Sequence, residues 1–147
     1  KGSREVAYGT FCTGYRDTVR GPDELITEIC IPKPRANATQ RWYKAGTRLA
    51  QAISKVMLAG VCSLDEGGNI THCRMGIGSV AAVPLLLHKT ADAIIGLPID
   101  EETIAKARAT AMSEITPIDD VRSTADYRRQ VGGNLVARLL REAGSPQ

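Results

Sequence analysis

Two long, mostly apolar runs separated by a short polar turn constrain the fold of this chain more than any other feature. Residues 55–64 include Val-Met-Leu-Ala-Gly-Val-Cys, and residues 70–80 follow the turn Asp65-Glu66-Gly67-Gly68-Asn69. A short apolar run bounded by turn residues is typical of a buried strand, and glycine with asparagine supplies the backbone freedom of a tight turn. The two runs therefore predict an antiparallel hairpin.

Two segments before this hairpin predict further strands. Residues 24–32 alternate β-branched side chains and end at a proline, as a half-buried strand does. Residues 40–45 would place Trp42 and Lys44 on one face of a strand and Tyr43 on the other, because successive side chains alternate. The first half of the chain thus predicts three or four antiparallel strands.

The second half has helical patterning. Residues 86–95 predict a short helix that Gly96 ends, since glycine adopts the left-handed conformation of a helix stop. Asp100 is predicted to cap a second helix, with acidic residues in its first turn. Ser123-x-x-Asp126 has the form of a capping box, which predicts the start of the last helix.

The predicted fold is α+β, with a three- to four-stranded antiparallel sheet packed against about three helices. Gly132-Gly133 interrupts the last predicted helix, and either close packing against another backbone or a kink would explain the pair. The 147 residues suit one domain. Its predicted parts are an entry segment (1–20), the sheet (21–82) and the helices (85–143).

Composition excludes several classes of function. The formal charge is +3 and only 4% of residues are aromatic, so the chain lacks the basic patch and the stacking platforms of a nucleic-acid binder. No run reaches the length of apolar sequence that crosses a bilayer, and we expect no membrane partner. The 4 cysteines form no Cys-x-x-Cys pair, which argues against a zinc or iron–sulfur site. We expect a cytoplasmic protein with reduced thiols.

Three other motifs favour structural roles. Gly76-Ile77-Gly78 fits part of a dinucleotide fingerprint, but it lies in a predicted hairpin strand and not before a helix that could receive phosphates. His72 has no carboxylate partner at ligand spacing. Asp119-Asp120 has arginines nearby, which favours ion pairing over paired-acid chemistry.

Two stretches carry a resemblance to a known family. Residues 43–56 read Tyr-Lys-Ala-Gly-Thr-Arg-Leu-Ala-Gln-Ala-Ile-Ser-Lys-Val, and residues 117–129 read Pro-Ile-Asp-Asp-Val-Arg-Ser-Thr-Ala-Asp-Tyr-Arg-Arg. Together they resemble the C-terminal domain of the FAD-binding subunit of molybdenum hydroxylases, the xanthine dehydrogenase and CO dehydrogenase group. The resemblance extends over about residues 11–142.

The resemblance implies four cofactor-binding residues and no catalytic or metal-binding residue of this domain's own. Lys44 would lie near the N1–C2 edge of the flavin, where a cation stabilises the reduced ring. Ile26, in Pro-Asp-Glu-Leu-Ile, would place an aliphatic side chain against the isoalloxazine. Arg48 and Gln51 would lie in a loop that flanks the flavin and helps control access of the electron acceptor.

The same resemblance implies partners. Molybdopterin and 2Fe–2S centres would belong to a molybdenum subunit and an iron–sulfur subunit or domain, and electrons would pass through FAD to NAD or another acceptor. The family holds the FAD pyrophosphate in a preceding domain, which we expect to be missing here, so the isolated chain should be inactive. A homodimer is left open. Two alternatives also stay open: a non-enzymatic interaction module that keeps the fold without flavin, and a stand-alone enzyme with an unrecognised site.

Overall fold

The centre of the molecule is a four-stranded antiparallel sheet with strand order β3-β4-β5-β6. The computed structural model describes residues 2–145. The four strands of this sheet are β3 (Thr39–Ala45), β4 (Val56–Leu64), β5 (Ile70–Gly78) and β6 (Leu85–Leu86). The predicted hairpin is confirmed as β4 and β5, and its turn is closed by the Asp65 carboxylate, which accepts from the Asn69 backbone N–H at 2.8 Å.

Three helices cover one face of this sheet, which confirms the predicted α+β class. They are α2 (His88–Asp92), α3 (Glu101–Glu114) and α4 (Ala125–Gly144). The sheet supplies alternate apolar side chains such as Leu58 and Ile77, and the helices supply Ile104 and Leu139, all nearly inaccessible to solvent. Because side chains alternate along a strand, the side chains between these, such as Trp42 and Met57, point to the opposite face of the sheet, where they are exposed.

The predicted start of α3 is confirmed, and the predicted start of α4 is wrong by one residue. Asp100 caps α3, and its carboxylate accepts from the Thr103 backbone N–H at 2.8 Å. At α4 the cap is Thr124 rather than Ser123, and the Thr124 hydroxyl accepts from the Tyr127 N–H at 3.2 Å. The hydroxyl residue adjacent to the predicted one has the extended backbone that a cap requires.

Close packing, and not a kink, accounts for the glycine pair in α4. The helix runs unbroken through both glycines. A Cβ at Gly132 would lie 3.0 Å from Ile115 Cδ1, and one at Gly133 would lie 2.8 Å from Met112 Cγ and 3.2 Å from the Arg108 carbonyl oxygen. The absence of side chains therefore lets α4 approach α3 closely.

The N-terminal residues form an arm before the main sheet. This arm contains α1 (Tyr8–Phe11) and a small two-stranded sheet of β1 (Cys12–Gly14) and β2 (Asp17–Thr18). It is held together by its own contacts, including an ion pair from Arg4 Nε to Glu24 Oε1 at 2.7 Å.

The strand predicted over residues 24–32 is wrong, and the sheet begins at Thr39 rather than near residue 21. Leu25, Ile29 and Ile31 are 87%, 79% and 82% exposed, and Cys30 is exposed as well. Alternating β-branched residues favour an extended backbone, but a strand also needs a neighbour for its hydrogen bonds, and none of the strands described over residues 2–145 pairs with this segment.

Within residues 2–145 no helix combines the length and the apolar character needed to cross a bilayer.

Candidate functional site

The uncovered side of the main sheet presents Lys44. In β3 the Tyr43 side chain points into the core, so Trp42 and Lys44 point to the other side. The strand register places Lys44 opposite Met57 of β4, which is in turn opposite Gly78 of β5. Trp42 is 74% exposed and Met57 is 43% exposed. We call this surface the open sheet face.

Small residues form the floor of the open sheet face. Across the strands, Trp42 is opposite Ala59, Ala59 is opposite Gly76, and Gly76 is opposite Leu86 of β6. A Cβ at Gly78 would lie only 3.0 Å from Met57 Cγ, so the glycine leaves room for the methionine next to Lys44. The result is a shallow, largely apolar floor with larger side chains at its margins.

Lys44 is a cation at one margin of this floor. Its side chain is exposed, and among residues 2–145 it forms no ion pair or hydrogen bond. An ammonium group that no carboxylate neutralises can stabilise negative charge on a molecule placed against the floor. The predicted flavin contact of Lys44 requires such an arrangement.

A cluster of charged side chains between α4 and β3 holds the Tyr43 side chain on the helix-covered face of the sheet. Arg138 lies over the ring of Tyr43, with its guanidinium carbon 4.6 Å from the ring centroid. Glu142 accepts from Arg138 Nε and from Arg41 Nε, each at 2.8 Å. The hydrogen bond from Arg138 contributes most to lowering the pKa of Glu142 below its usual range. Because Tyr43 is held inward, its neighbours Trp42 and Lys44 must face outward.

The loop of residues 46–54 follows strand β3 and contains two more of the predicted site residues, Arg48 and Gln51. Arg48 donates to the Gln51 carbonyl oxygen from Nε at 3.1 Å and from Nη2 at 2.6 Å. Gln51 has a φ of +50°, a left-handed backbone that is unusual for glutamine. At the base of the loop, the Lys55 N–H donates to the Ala45 carbonyl at 2.8 Å. The structure thus brings Arg48 and Gln51 into direct contact.

Ile26 belongs to a different part of the structure. It lies in the N-terminal arm and is 59% exposed, outside the sheet that carries Lys44. Its predicted strand is absent, as described above. Its predicted contact with a flavin ring is left as a prediction.

The remaining motifs have structural positions. The Gly76-Ile77-Gly78 segment lies in strand β5, between two antiparallel neighbours. Asp120 pairs with Arg128, with Arg128 Nη2 at 2.6 Å from Asp120 Oδ1, which confirms the ion-pair interpretation. In the described part of the chain, no three His, Cys, Asp or Glu side chains are grouped so that they could hold a metal ion.

The sequence model of the CO dehydrogenase flavoprotein C-terminal domain matches residues 41–143. The chain belongs to this family. The match covers nearly all of the main sheet and of the three helices packed on it, and it confirms the resemblance drawn from the two sequence stretches. The N-terminal arm precedes the matched segment.

Known relatives of this flavoprotein domain are similar to it in sequence over most of the chain. The chain is 27% identical over 143 residues to the carbon monoxide dehydrogenase medium chain of Afipia carboxidovorans. This alignment covers 97% of the chain and 49% of that protein. It is 23% identical over 133 residues to the nicotinate dehydrogenase FAD-subunit of Eubacterium barkeri, in an alignment that covers 88% of the chain and 45% of that subunit.

A solved structure has the same fold. Reconstituted CO dehydrogenase from Oligotropha carboxidovorans matches with a TM-score of 0.90 and 27% identity, over 97% of this chain and 49% of the matching chain. The flavoprotein domain described here therefore spans about half the length of the relatives it matches.

Proposed function

We propose that this chain is the flavin-facing C-terminal domain of the FAD-binding subunit of a molybdenum-containing hydroxylase of the xanthine dehydrogenase type. The observation that carries the proposal is the open sheet face, where the unpaired Lys44 ammonium stands at the margin of a floor of small residues. The family match and the relatives named as FAD subunits or medium chains support the same assignment.

The residues of the open sheet face fit a flavin ring. A planar ring needs a surface without protruding side chains, which Ala59, Gly76 and Gly78 supply, while Trp42 and Met57 exclude water at the margins. FAD, when bound, would take up electrons from iron–sulfur centres and release them to NAD or another acceptor. Lys44 would hold positive charge at the N1–C2 edge, where the reduced ring is negative.

The other predicted residues have supporting roles in this proposal. Ile26 would supply an apolar wall against the ring once the arm is packed on the rest of the subunit, and apolar walls strengthen nearby electrostatic interactions. The Arg48–Gln51 contact would hold the loop of residues 46–54 beside the flavin edge. None of these three residues would take part in proton transfer.

The proposed function needs partners that lie outside this chain. The FAD pyrophosphate would be bound by a preceding domain of the same subunit. Molybdopterin would be held by a molybdenum-binding subunit, and 2Fe–2S centres by an iron–sulfur subunit or domain. We propose that the complex is cytoplasmic and that two copies of it form a dimer.

An FAD titration followed by tryptophan fluorescence tests this proposal. The chain contains a single tryptophan, Trp42, which lies on the same face of the sheet as Lys44. In the full-length subunit, FAD should bind stoichiometrically and quench the part of the fluorescence that Trp42→Phe removes. The reason is distance: strands rise only ~3.3 Å per residue, so Trp42 lies close to Lys44 and to a flavin bound beside it. The isolated chain should retain little or no FAD and should show no dehydrogenase turnover.

Two results would contradict the proposal. Tight stoichiometric FAD on the isolated chain would show that no preceding domain is needed. A full-length subunit that binds no FAD would favour the alternative, an interaction module that keeps the fold without flavin. The Trp42→Phe subunit is the matched control, because it removes the reporter and leaves Lys44 in place.

A further inference from the structure

A buried arginine on α4 is joined to the loop of residues 46–54 through two serines. Arg128 is 5% exposed although arginine is rarely buried. Its Nη2 donates to Asp120 Oδ1 at 2.6 Å, and its Nη1 donates to the Ser79 carbonyl at 3.2 Å. The Ser79 hydroxyl is 3.1 Å from the Ser54 hydroxyl, and Ser54 is the last residue of the loop.

Two features of this connection cost stability. Ser79 has a φ of +66°, a left-handed backbone that is strained for a residue with a side chain. The Nε of Arg128 is buried without a hydrogen-bond partner among residues 2–145. Unpaired buried polar groups and strained backbone persist where the surrounding structure holds them, and both are concentrated at functional sites.

A second contact supports the same end of the loop. The Lys55 ammonium lies 5.1 Å from the centroid of the Tyr127 ring, and Tyr127 precedes Arg128 in α4. The loop is therefore tied at its base to the start of α4 by two independent contacts. Its tip is held by Arg48 on the Gln51 carbonyl. Leu49 and Ile53, between these supports, are 109% and 65% exposed.

We infer that Arg128 is a positioning residue that fixes the loop of residues 46–54 through Ser79 and Ser54. Its link to flavin chemistry rests on the proposed function: a fixed loop limits how a soluble electron acceptor approaches the flavin edge next to Lys44. Lys44 itself is set by the register of β3 and β4, so the potential of the flavin does not depend on this connection.

Hydrogen exchange in the full-length subunit tests the positioning role directly. Arg128→Lys keeps a charge for Asp120 but cannot bridge both partners, and Ser54→Ala removes one hydroxyl contact. Both variants should speed amide exchange in residues 46–54 by about fivefold, because each loses a hydrogen bond that holds the loop. Exchange in β4 and β5 should stay unchanged. Arg129→Lys and Ser113→Ala are the matched controls, on α4 and α3 respectively, and should change neither.

A kinetic measurement tests the consequence for the acceptor. In the assembled complex, Ser54→Ala should raise the rate of flavin reoxidation by a soluble quinone about threefold, because a loosened loop opens the flavin edge. The flavin midpoint potential should be that of the wild type. A role in structure alone would lower thermal stability without this rate change.

The inference is overturned if loop exchange is unchanged in Ser54→Ala, or if exchange rises equally in β4 and β5. It is also overturned if the reoxidation rate is unchanged while the loop exchanges faster. If Arg128→Lys fails to fold, Ser54→Ala decides the matter, since its contact is confined to two hydroxyls. Failure of the subunit to bind FAD would refute the proposed function and leave the exchange experiment as an independent test.

Discussion

Replacing Gly133 by valine should destabilise the domain by about 3 kcal/mol, a large fraction of the total stability of a domain this size. A Cβ at this position would lie 2.8 Å from Met112 Cγ, 3.0 Å from Arg108 Cγ and 3.2 Å from the Arg108 carbonyl oxygen. The side chains can move, but the carbonyl belongs to the backbone of α3. The valine would therefore force α3 and α4 apart and open the core between them.

Thermal or urea unfolding of the isolated chain and of the full-length subunit measures this effect. Gly133→Ala should also destabilise the domain, even though alanine in a helix interior is favoured over glycine by about 1 kcal/mol. Arg129→Val is the control for placing valine in α4, because Arg129 is partly exposed and pairs with the exposed Asp126. If Gly133→Val were as stable as Arg129→Val, the close approach of the two helices would be wrong.

The sequence predicts the part of the fold that depends on local patterning. The β4–β5 hairpin follows from two apolar runs and a glycine-rich turn, and Asp100 marks the start of α3 because a cap is a local interaction. The strand over residues 24–32 fails for a non-local reason. Its composition favours an extended chain, but the partner that would complete it is not among the strands of residues 2–145.

The candidate site was only partly predictable. Alternation along β3 places Trp42 and Lys44 on one face, and the register with Met57 and Gly78 follows only from the paired strands. The connection from Arg128 to Ser54 joins residues far apart in sequence, so no spacing rule identifies it. The one local signal was the Asp119-Asp120 pair near several arginines, which indicated ion pairing without indicating which arginine would be buried.

The second large effect concerns the charge at the flavin edge. Lys44→Met in the full-length subunit should lower the midpoint potential of the flavin. At the proposed position near the N1–C2 edge, the Lys44 charge would contribute roughly 1–3 kcal/mol to the stability of the reduced ring at an effective dielectric constant of about 20, and its removal would lose that contribution. For a two-electron couple this corresponds to about 20–60 mV. Lys44→Arg keeps the charge and should retain most of the potential.

Redox titration of the assembled flavoprotein measures most directly whether the unpaired Lys44 ammonium on the open sheet face acts on the flavin. We expect a lower potential for Lys44→Met, with FAD content and subunit assembly unchanged. Lys106→Met, on an exposed position of α3, is the control and should have the wild-type potential. A Lys44→Met potential equal to that of Lys106→Met would show that the Lys44 charge does not act on the flavin.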